Sequence, residues 1–191
     1  MTNKKIVMLL VLFIGMMTAG RLAWLEHFRL PDAPVAEAGM LDLREWEPLA
    51  TDTLPLDGEW MFYPETFLYG DLTEEELTND TAAIYAPVPN QRSGEANAPA
   101  DFAYGSYRLQ IRLDPGKHLN IGLRIPGIRS SGEVYLNGEL VVKNGNIGTT
   151  AMAYEPINRP STLYYTVEES GLLDIVVQYA DFENPSEKGL S

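Results

Sequence analysis

Two carboxylate side chains, Asp57 and Glu59, lie two residues apart in a segment that alternates polar and apolar residues. A strand places both on one face, and paired carboxylates can drive glycoside hydrolysis when they flank the substrate at a set separation. The pair adjoins an Asp57-Gly58 turn signal in a chain with 27 acidic residues. We therefore interpret the two carboxylates as solvent-facing strand positions.

Other catalytic and metal-binding side chains are scarce. The chain has no cysteine, which excludes disulfides, thiolate catalysis and cysteine-ligated zinc. Its two histidines, His27 and His118, leave little material for a metal site or a catalytic triad, and His118 falls on the outward face of a predicted strand. The sequence predicts no enzymatic activity, no metal site and no cofactor.

Aromatic and planar polar side chains gather in and beside two long predicted loops, residues 90–103 and 146–160, and Tyr164 and Tyr165 follow the second loop. A sugar presents an apolar ring face rimmed by hydroxyls, which suits aromatic faces combined with planar hydrogen-bond donors. The candidate residues for binding a carbohydrate or other small molecule are Arg92, Tyr104, Arg129, Tyr154 and Arg159. The alternative for each tyrosine is that it caps the end of the hydrophobic core.

The charge distribution excludes one class of partner. Residues 31–191 hold 26 acidic and 10 basic side chains, a net charge of −16. A phosphate backbone repels a domain this acidic, so the sequence predicts no binding to nucleic acid. The acidity by itself names no other partner.

The N-terminus carries a targeting or membrane signal, with lysines at 4–5 followed by an apolar run over residues 6–19. A transmembrane helix needs about 20 apolar residues, and extension to Leu25 reaches that length but includes Arg21, which can snorkel to the interface. The alternative is a signal peptide cleaved after the small residues 18–20. Both interpretations locate the protein at the cell membrane or beyond it.

Since positive charge stays on the cytoplasmic side, we expect the chain after about residue 30 to be extracytoplasmic. The expected domains are a signal anchor or signal peptide (1–25), a linker (26–38), an extracytoplasmic β domain (39–184) and a truncated closing segment (185–191).

Period-2 alternation over residues 107–113 and 119–125 predicts strands with one apolar face. Asn137-Gly138 predicts a β-hairpin that pairs Val134–Leu136 with Leu140–Val142. Apart from one capping-box turn near residues 73–76, no helix is expected after residue 30. The sequence therefore predicts an all-β jelly-roll sandwich preceded by one N-terminal hydrophobic helix.

Several motifs, in this order over residues 39–184, resemble the extracellular sensory domain of bacterial seven-transmembrane receptors with diverse intracellular signalling modules. They are "LDLREW", "LDGEWMFYPETFL", "VPN", "YGSYRLQIRL", "LRIPGIRSSGEVYLNGELV", "NGNIGTT" and "EPINRP". "LDGEW" and "VYLNG" also occur in the sugar-binding jelly-roll domain of family 2 glycoside hydrolases, so the ordered set carries the resemblance.

The resemblance implies a galactose-binding-like jelly roll that binds carbohydrate or another small ligand, with a seven-transmembrane signalling module as its partner in the full-length protein. A sugar-binding accessory domain of a secreted family 2-like glycoside hydrolase is the alternative. The sequence ends at "ENPSEKGLS", before any of the seven membrane helices of such a receptor. We therefore expect a fragment of a longer receptor rather than a free-standing sensor. The resemblance supplies no catalytic or ligand residues for this domain.

Overall fold

The computed structural model divides the chain into two units, Met1–Ala33 and Pro34–Ser191, and we refer to the second unit as the β domain. The residues it describes are 3–27, 33–44, 46, 53–70, 83–89, 102–116, 119–125, 130–157, 159–167 and 171–183.

The first unit contains helix α1, Asn3–His27. Its stretch Lys4–Trp24 has a mean hydropathy of 2.2 and is not buried, so by length and composition it can cross a membrane. Apolar side chains lie on all sides of α1, an arrangement that a helix surrounded by water does not tolerate. The predicted N-terminal hydrophobic helix is confirmed, and a membrane span and a signal sequence both fit it.

The described part of the β domain contains nine strands in two sheets. The strands are β1 (Met40–Asp42), β2 (Gly58–Pro64), β3 (Ile84–Val88), β4 (Tyr104–Arg112), β5 (Leu119–Ile125), β6 (Ser131–Leu136), β7 (Glu139–Asn144), β8 (Ser161–Val167) and β9 (Leu172–Ala180). The large sheet has the order β3-β2-β4-β9-β6-β7, with β1 pairing in parallel with β4. The small sheet pairs β5 with β8.

The core lies between the two sheets. On the large sheet, alternate residues such as Tyr107 and Leu109 of β4 and Ile175 of β9 are at most 2% exposed. Apolar residues of the small sheet, including Ile121 and Leu163, pack against them. This period-2 burial is what the alternation in the sequence predicts, and it confirms an all-β sandwich preceded by one hydrophobic helix.

The hairpin of β6 and β7 has the predicted turn. Asn137 and Gly138 have φ values of 47° and 84°, the positive pair that a type I′ turn requires. The Asn137 side-chain oxygen accepts a hydrogen bond from the backbone N–H of Asp174 at 2.8 Å. The turn is thereby attached to β9, and the predicted hairpin is confirmed.

The other face of the large sheet is partly covered by residues 65–70, which we call the strap. Ser106 Oγ donates to the Thr66 carbonyl at 2.7 Å and accepts the backbone N–H of Leu68 at 3.1 Å. The amide of Gln178 accepts the backbone N–H of Tyr69 at 2.6 Å and donates to its carbonyl at 3.2 Å. Ser106 and Gln178 are fully buried, so these bonds satisfy polar groups that water does not reach.

Part of the segment expected to be a linker, residues 26–38, pairs with β2. Ala36 is 1% exposed, donates its N–H to the Asp57 carbonyl at 2.9 Å and accepts the N–H of Glu59 at 2.8 Å. Gly58 lies between these two partners with a φ of 127°. The short Ala36 side chain joins the core here, which the Pro/Ala-rich sequence does not reveal.

The alternating residues 39–46, "GMLDLREW", predict a first strand, but β1 covers only Met40–Asp42 of this segment. Arg44 folds back on Asp42, whose carboxylate accepts its backbone N–H at 3.2 Å and its Nε at 2.9 Å. These bonds to Arg44 lower the pKa of Asp42 to about 2. The local side-chain bonds compete with the strand and end it. The predicted helical turn near residues 73–76 lies outside the described residues.

Gly58→Ala is expected to lower the free energy of unfolding by about 2–4 kcal/mol, because the new Cβ combines an unfavourable φ with a collision against the backbone of Ala36. The matched control is Gly70→Ala: Gly70 has a φ of 115° but nothing within 4 Å of the new Cβ, so its cost is about 1 kcal/mol. Urea unfolding of the purified chain in detergent, followed by tryptophan fluorescence, measures both. Equal losses would show that Ala36 does not constrain the site.

Candidate functional site

One end of the β domain brings several strand termini together. Tyr104 begins β4 and pairs with Ala180 at the end of β9, and Ser131 at the start of β6 also pairs with Ala180. Asn144 ends β7 in the same sheet, opposite Gly132 of β6. Residues 145–157, 159–160 and 181–183 therefore leave the sheet at this end, which we call the Tyr104 end.

Two of the candidate tyrosines meet there through a third ring. The ring centroids of Tyr104 and Phe182 are 6.5 Å apart, and those of Tyr154 and Phe182 are 5.6 Å apart. Phe67 of the strap lies 5.2 Å from Tyr104. We call these four rings the aromatic row. Tyr104 and Tyr154 are thus connected through Phe182. Each tyrosine ring packs beside another ring of the domain, as expected of residues that cap a hydrophobic core.

The second long loop is held in one conformation by its own backbone. The N–H of Asn146 donates to the Glu155 carbonyl at 2.9 Å, and the N–H of Glu155 returns a bond to Asn146 at 3.0 Å. The Asn146 side-chain amide also donates to the Ala153 carbonyl at 3.0 Å. Met152 at the tip is 98% exposed. The loop is therefore an ordered projection with an exposed tip.

Arg159 lies beside this loop with its backbone fixed. Its carbonyl accepts a hydrogen bond from the side-chain amide of Asn144 at 3.0 Å, while its own side chain is exposed. A guanidinium in this position offers planar hydrogen-bond donors at the Tyr104 end.

The hydroxyl of Tyr154 is buried and has no hydrogen-bond partner among the described residues. Burial, and after it the negative charges of Asp181 and Glu183, raise the pKa of Tyr154 to about 12. The neutral phenol is therefore strongly favoured at this end of the domain.

The remaining candidates, Arg92 and Arg129, lie outside the described residues, as does His118. Val88, the last residue of β3, pairs with Gly58 at the opposite end of the sheet from Tyr104. The structure brings Tyr104 and Tyr154 together through Phe182, and it places the backbone of Arg159 at the same end of the large sheet, beside Asn144 of β7.

The carboxylates of Asp57 and Glu59 are exposed at the start of β2, and Glu59 Oε2 accepts the backbone N–H of Ala38 at 3.4 Å. Within the described part of the chain, no group of three Asp, Glu or His side chains could hold a metal ion. The exposure of both side chains fits the interpretation of solvent-facing positions, but Gly58 is the first residue of β2 rather than part of the turn that the Asp57-Gly58 signal predicts.

A second polar group lies on the strap-covered face of the large sheet. Arg108 Nε donates to Asp174 Oδ1 at 2.8 Å. Burial has the largest single effect and would lower the pKa of Arg108, but the hydrogen bonds and charges of Asp174 and Tyr63 together outweigh it and raise the pKa. Nearby, Glu133 accepts bonds from Tyr135 at 2.8 Å and from Lys143 at 2.6 Å. These charges satisfy one another, which marks them as structural.

Sequence reasoning did not identify Phe67 or Phe182 as parts of this end. Each lies in an irregular segment, and its contact with a ring distant in sequence is set by the fold. No local pattern distinguishes them.

No protein-family profile matches the chain, and no curated protein sequence matches it. Three enzymes of known structure share a distant likeness. A GH2 beta-galacturonidase from Eisenbergiella tayi has 18% identity and a TM-score of 0.40, over 67% of this chain and 19% of the enzyme. A beta-glucuronidase from Ruminococcus gnavus has 19% identity and a TM-score of 0.41, over 66% and 20%. A beta-glucosidase from Kluyveromyces marxianus has 17% identity and a TM-score of 0.36, over 68% and 15%.

The chain thus spans about a fifth or less of the length of these enzymes.

Tyr154→Phe is expected to leave the free energy of unfolding unchanged or to raise it by up to about 1 kcal/mol, because it removes a buried hydroxyl without a partner. Tyr154→Ala is expected to lower it by about 1–3 kcal/mol, since the contact with Phe182 is lost. Urea titrations of both variants test this. A loss of more than about 1 kcal/mol in Tyr154→Phe would show that the hydroxyl is hydrogen-bonded.

The raised pKa of Tyr154 predicts that the stability of wild type and of Tyr154→Phe depends differently on pH. The folded-state pKa of Tyr154, about 12, lies above the ordinary tyrosine value of 10.0, so its contribution to stability is complete below pH 10. It is lost as the pH rises through about 12. Wild type should therefore lose more stability than Tyr154→Phe across this interval, and parallel pH profiles would contradict the assignment.

Proposed function

We propose that the β domain is a non-catalytic ligand-binding module that takes a carbohydrate or a similar hydroxyl-rich solute at the Tyr104 end. The observation that carries this proposal is the ordered loop of residues 145–157 beside the exposed guanidinium of Arg159. A preformed loop loses little conformational entropy on binding, which favours recognition of small ligands.

In this proposal the residues of the Tyr104 end have different roles in binding. Tyr104 and Tyr154 belong to the aromatic row and keep the end rigid, and the edges of their rings border the ligand. Arg159 supplies planar donors to hydroxyl groups. Arg92 and Arg129 stay candidates for the same role, and Arg129 directly precedes Ser130 and β6, which starts at this end.

We further propose that the domain is the extracytoplasmic sensor of a membrane receptor whose full-length form includes a seven-transmembrane signalling module. The lysines at 4–5 and the apolar surface of α1 support export across the membrane. Whether α1 remains as an anchor or is removed as a signal peptide, the β domain is extracytoplasmic.

Arg159→Ala is expected to weaken carbohydrate binding about tenfold and to leave the melting temperature within about 1 °C, because the side chain is exposed. A glycan array identifies the ligand, and calorimetry on the purified chain in detergent gives the affinity. The matched control is Arg112→Ala, since Arg112 is exposed at the other end of β4. Equal affinity in both variants, or no glycan bound by wild type, would refute the proposed site.

A periplasmic-type phosphatase reporter fused after residue 191 is expected to be active, and a cytoplasmic-type galactosidase reporter at the same point inactive. The physical reason is that Lys4 and Lys5 hold the N-terminus of α1 on the cytoplasmic side. Replacing both lysines by glutamate serves as the control and should reduce the phosphatase signal. The reverse pattern in the unmodified chain would place the β domain in the cytoplasm.

A further inference from the structure

Tyr164 is the most exposed aromatic side chain among the described residues, with 87% of its surface accessible. It lies on β8 opposite Gly122 of β5. A Cβ built on Gly122 would lie 3.5 Å from Tyr164 Cε1, so the ring lies beside the bare backbone of β5. Among the described residues of the domain, no side chain covers the ring.

Packing does not explain this tyrosine. The apolar contacts of β8 with the core come from its alternate residues, among them Leu163, Tyr165 and Val167. Tyr164 points to the opposite face of the strand, as period 2 requires. An exposed aromatic ring on a regular sheet has a position fixed by the strand backbone, and its apolar face is available for packing against a ligand.

Hydrogen-bonding side chains surround the ring on this outward face of the small sheet. Arg124 of β5 pairs with Thr162, and Asn120 pairs with Thr166. These two pairs lie two residues along the strands on either side of the Gly122–Tyr164 pair. Thr166 Oγ1 donates to Asn120 Oδ1 at 2.7 Å, which orients the amide and leaves its N–H donors available. These four side chains are exposed.

The charge of this face differs from that of the rest of the domain. Neither β5 nor β8 contains an Asp or Glu, although residues 31–191 carry a net charge of −16. The charge on the two strands is the guanidinium of Arg124. The nearest acidic residues along the chain, Glu168 and Glu169, follow β8 outside the described residues. The sheet face therefore admits an anionic group that the domain as a whole repels.

We propose that the outward face of the β5–β8 sheet is a saccharide-binding surface centred on Tyr164, with a preference for sugars that carry a carboxylate. The tyrosine ring covers the apolar face of one sugar residue, and the Asn120 amide donates to its hydroxyls. Arg124 pairs with the carboxylate, which the planar guanidinium can hold through two hydrogen bonds. This surface does not rest on binding at the Tyr104 end.

The test uses short oligogalacturonates and the same oligomers with their carboxylates blocked as methyl esters, titrated calorimetrically into the purified full chain in detergent. Wild type is expected to bind the acid at least about fivefold more tightly than the ester. Tyr164→Ala should weaken binding of both probes about tenfold, whereas Tyr164→Phe, which keeps the ring, should stay within about twofold of wild type. Arg124→Gln should bring the acid-to-ester ratio close to one.

Tyr85→Ala is the matched control, since Tyr85 is 60% exposed on β3 of the other sheet and should not affect either probe. Arg159→Ala separates this surface from the Tyr104 end, because the sheet-face site predicts no change. If wild type binds neither probe, or Tyr164→Ala binds like wild type, the surface is refuted. An acid-to-ester ratio near one in wild type overturns the preference for acidic sugars. Concentration-dependent dimerisation that Tyr164→Ala abolishes would instead assign the face to a second copy of the chain.

Discussion

The buried amide of Gln178 is the constraint on which the arrangement of the Tyr104 end depends. This side chain lies on the central strand β9, fully enclosed, and both of its polar groups bond to the backbone of Tyr69. An unsatisfied amide in that position would cost about 1–3 kcal/mol, so the strap must lie across the sheet. The strap carries Phe67 to Tyr104, and Phe182 extends the contact to Tyr154. The geometry of the candidate site thus depends on a residue that is not one of the candidate binding residues.

The two sheets present different surfaces, and the difference has one physical origin. The large sheet is covered on both faces around β9, so its polar residues must find partners within the domain, as Arg108 does with Asp174. The small sheet is covered on one face, so Tyr164 and Arg124 meet solvent without such partners in the strands. Recognition of hydroxyl-rich ligands needs side chains whose hydrogen-bonding capacity the fold has not used. Side chains of this kind lie on the outward face of the small sheet and at the Tyr104 end.

Alternation of apolar and polar residues was sufficient to predict the strands, since it reflects the period of the backbone itself. It placed β5 within one residue of its observed bounds, put Tyr107 and Leu109 in the core, and located the Asn137-Gly138 turn. The same pattern cannot show that Gln178 is buried. A polar residue on the face of the sheet opposite the core gives the same alternation whether that face meets solvent or is covered by the strap. It also cannot show Ala36 beside Gly58 or Tyr154 beside Phe182, since these contacts join segments that share no local periodicity.

The position of β9 has a consequence for the order of synthesis and folding. This strand comes last of the nine in the chain, yet it lies in the middle of the large sheet, between β4 and β6. Within the large sheet the earlier strands therefore form two separate groups, β3-β2-β4 and β6-β7, and only β9 joins them by hydrogen bonds. Pairing between such distant segments is slow, because a long loop must close first. A nascent chain that has not yet delivered β9 cannot complete the large sheet, so the native fold forms only after almost the whole β domain has been synthesised.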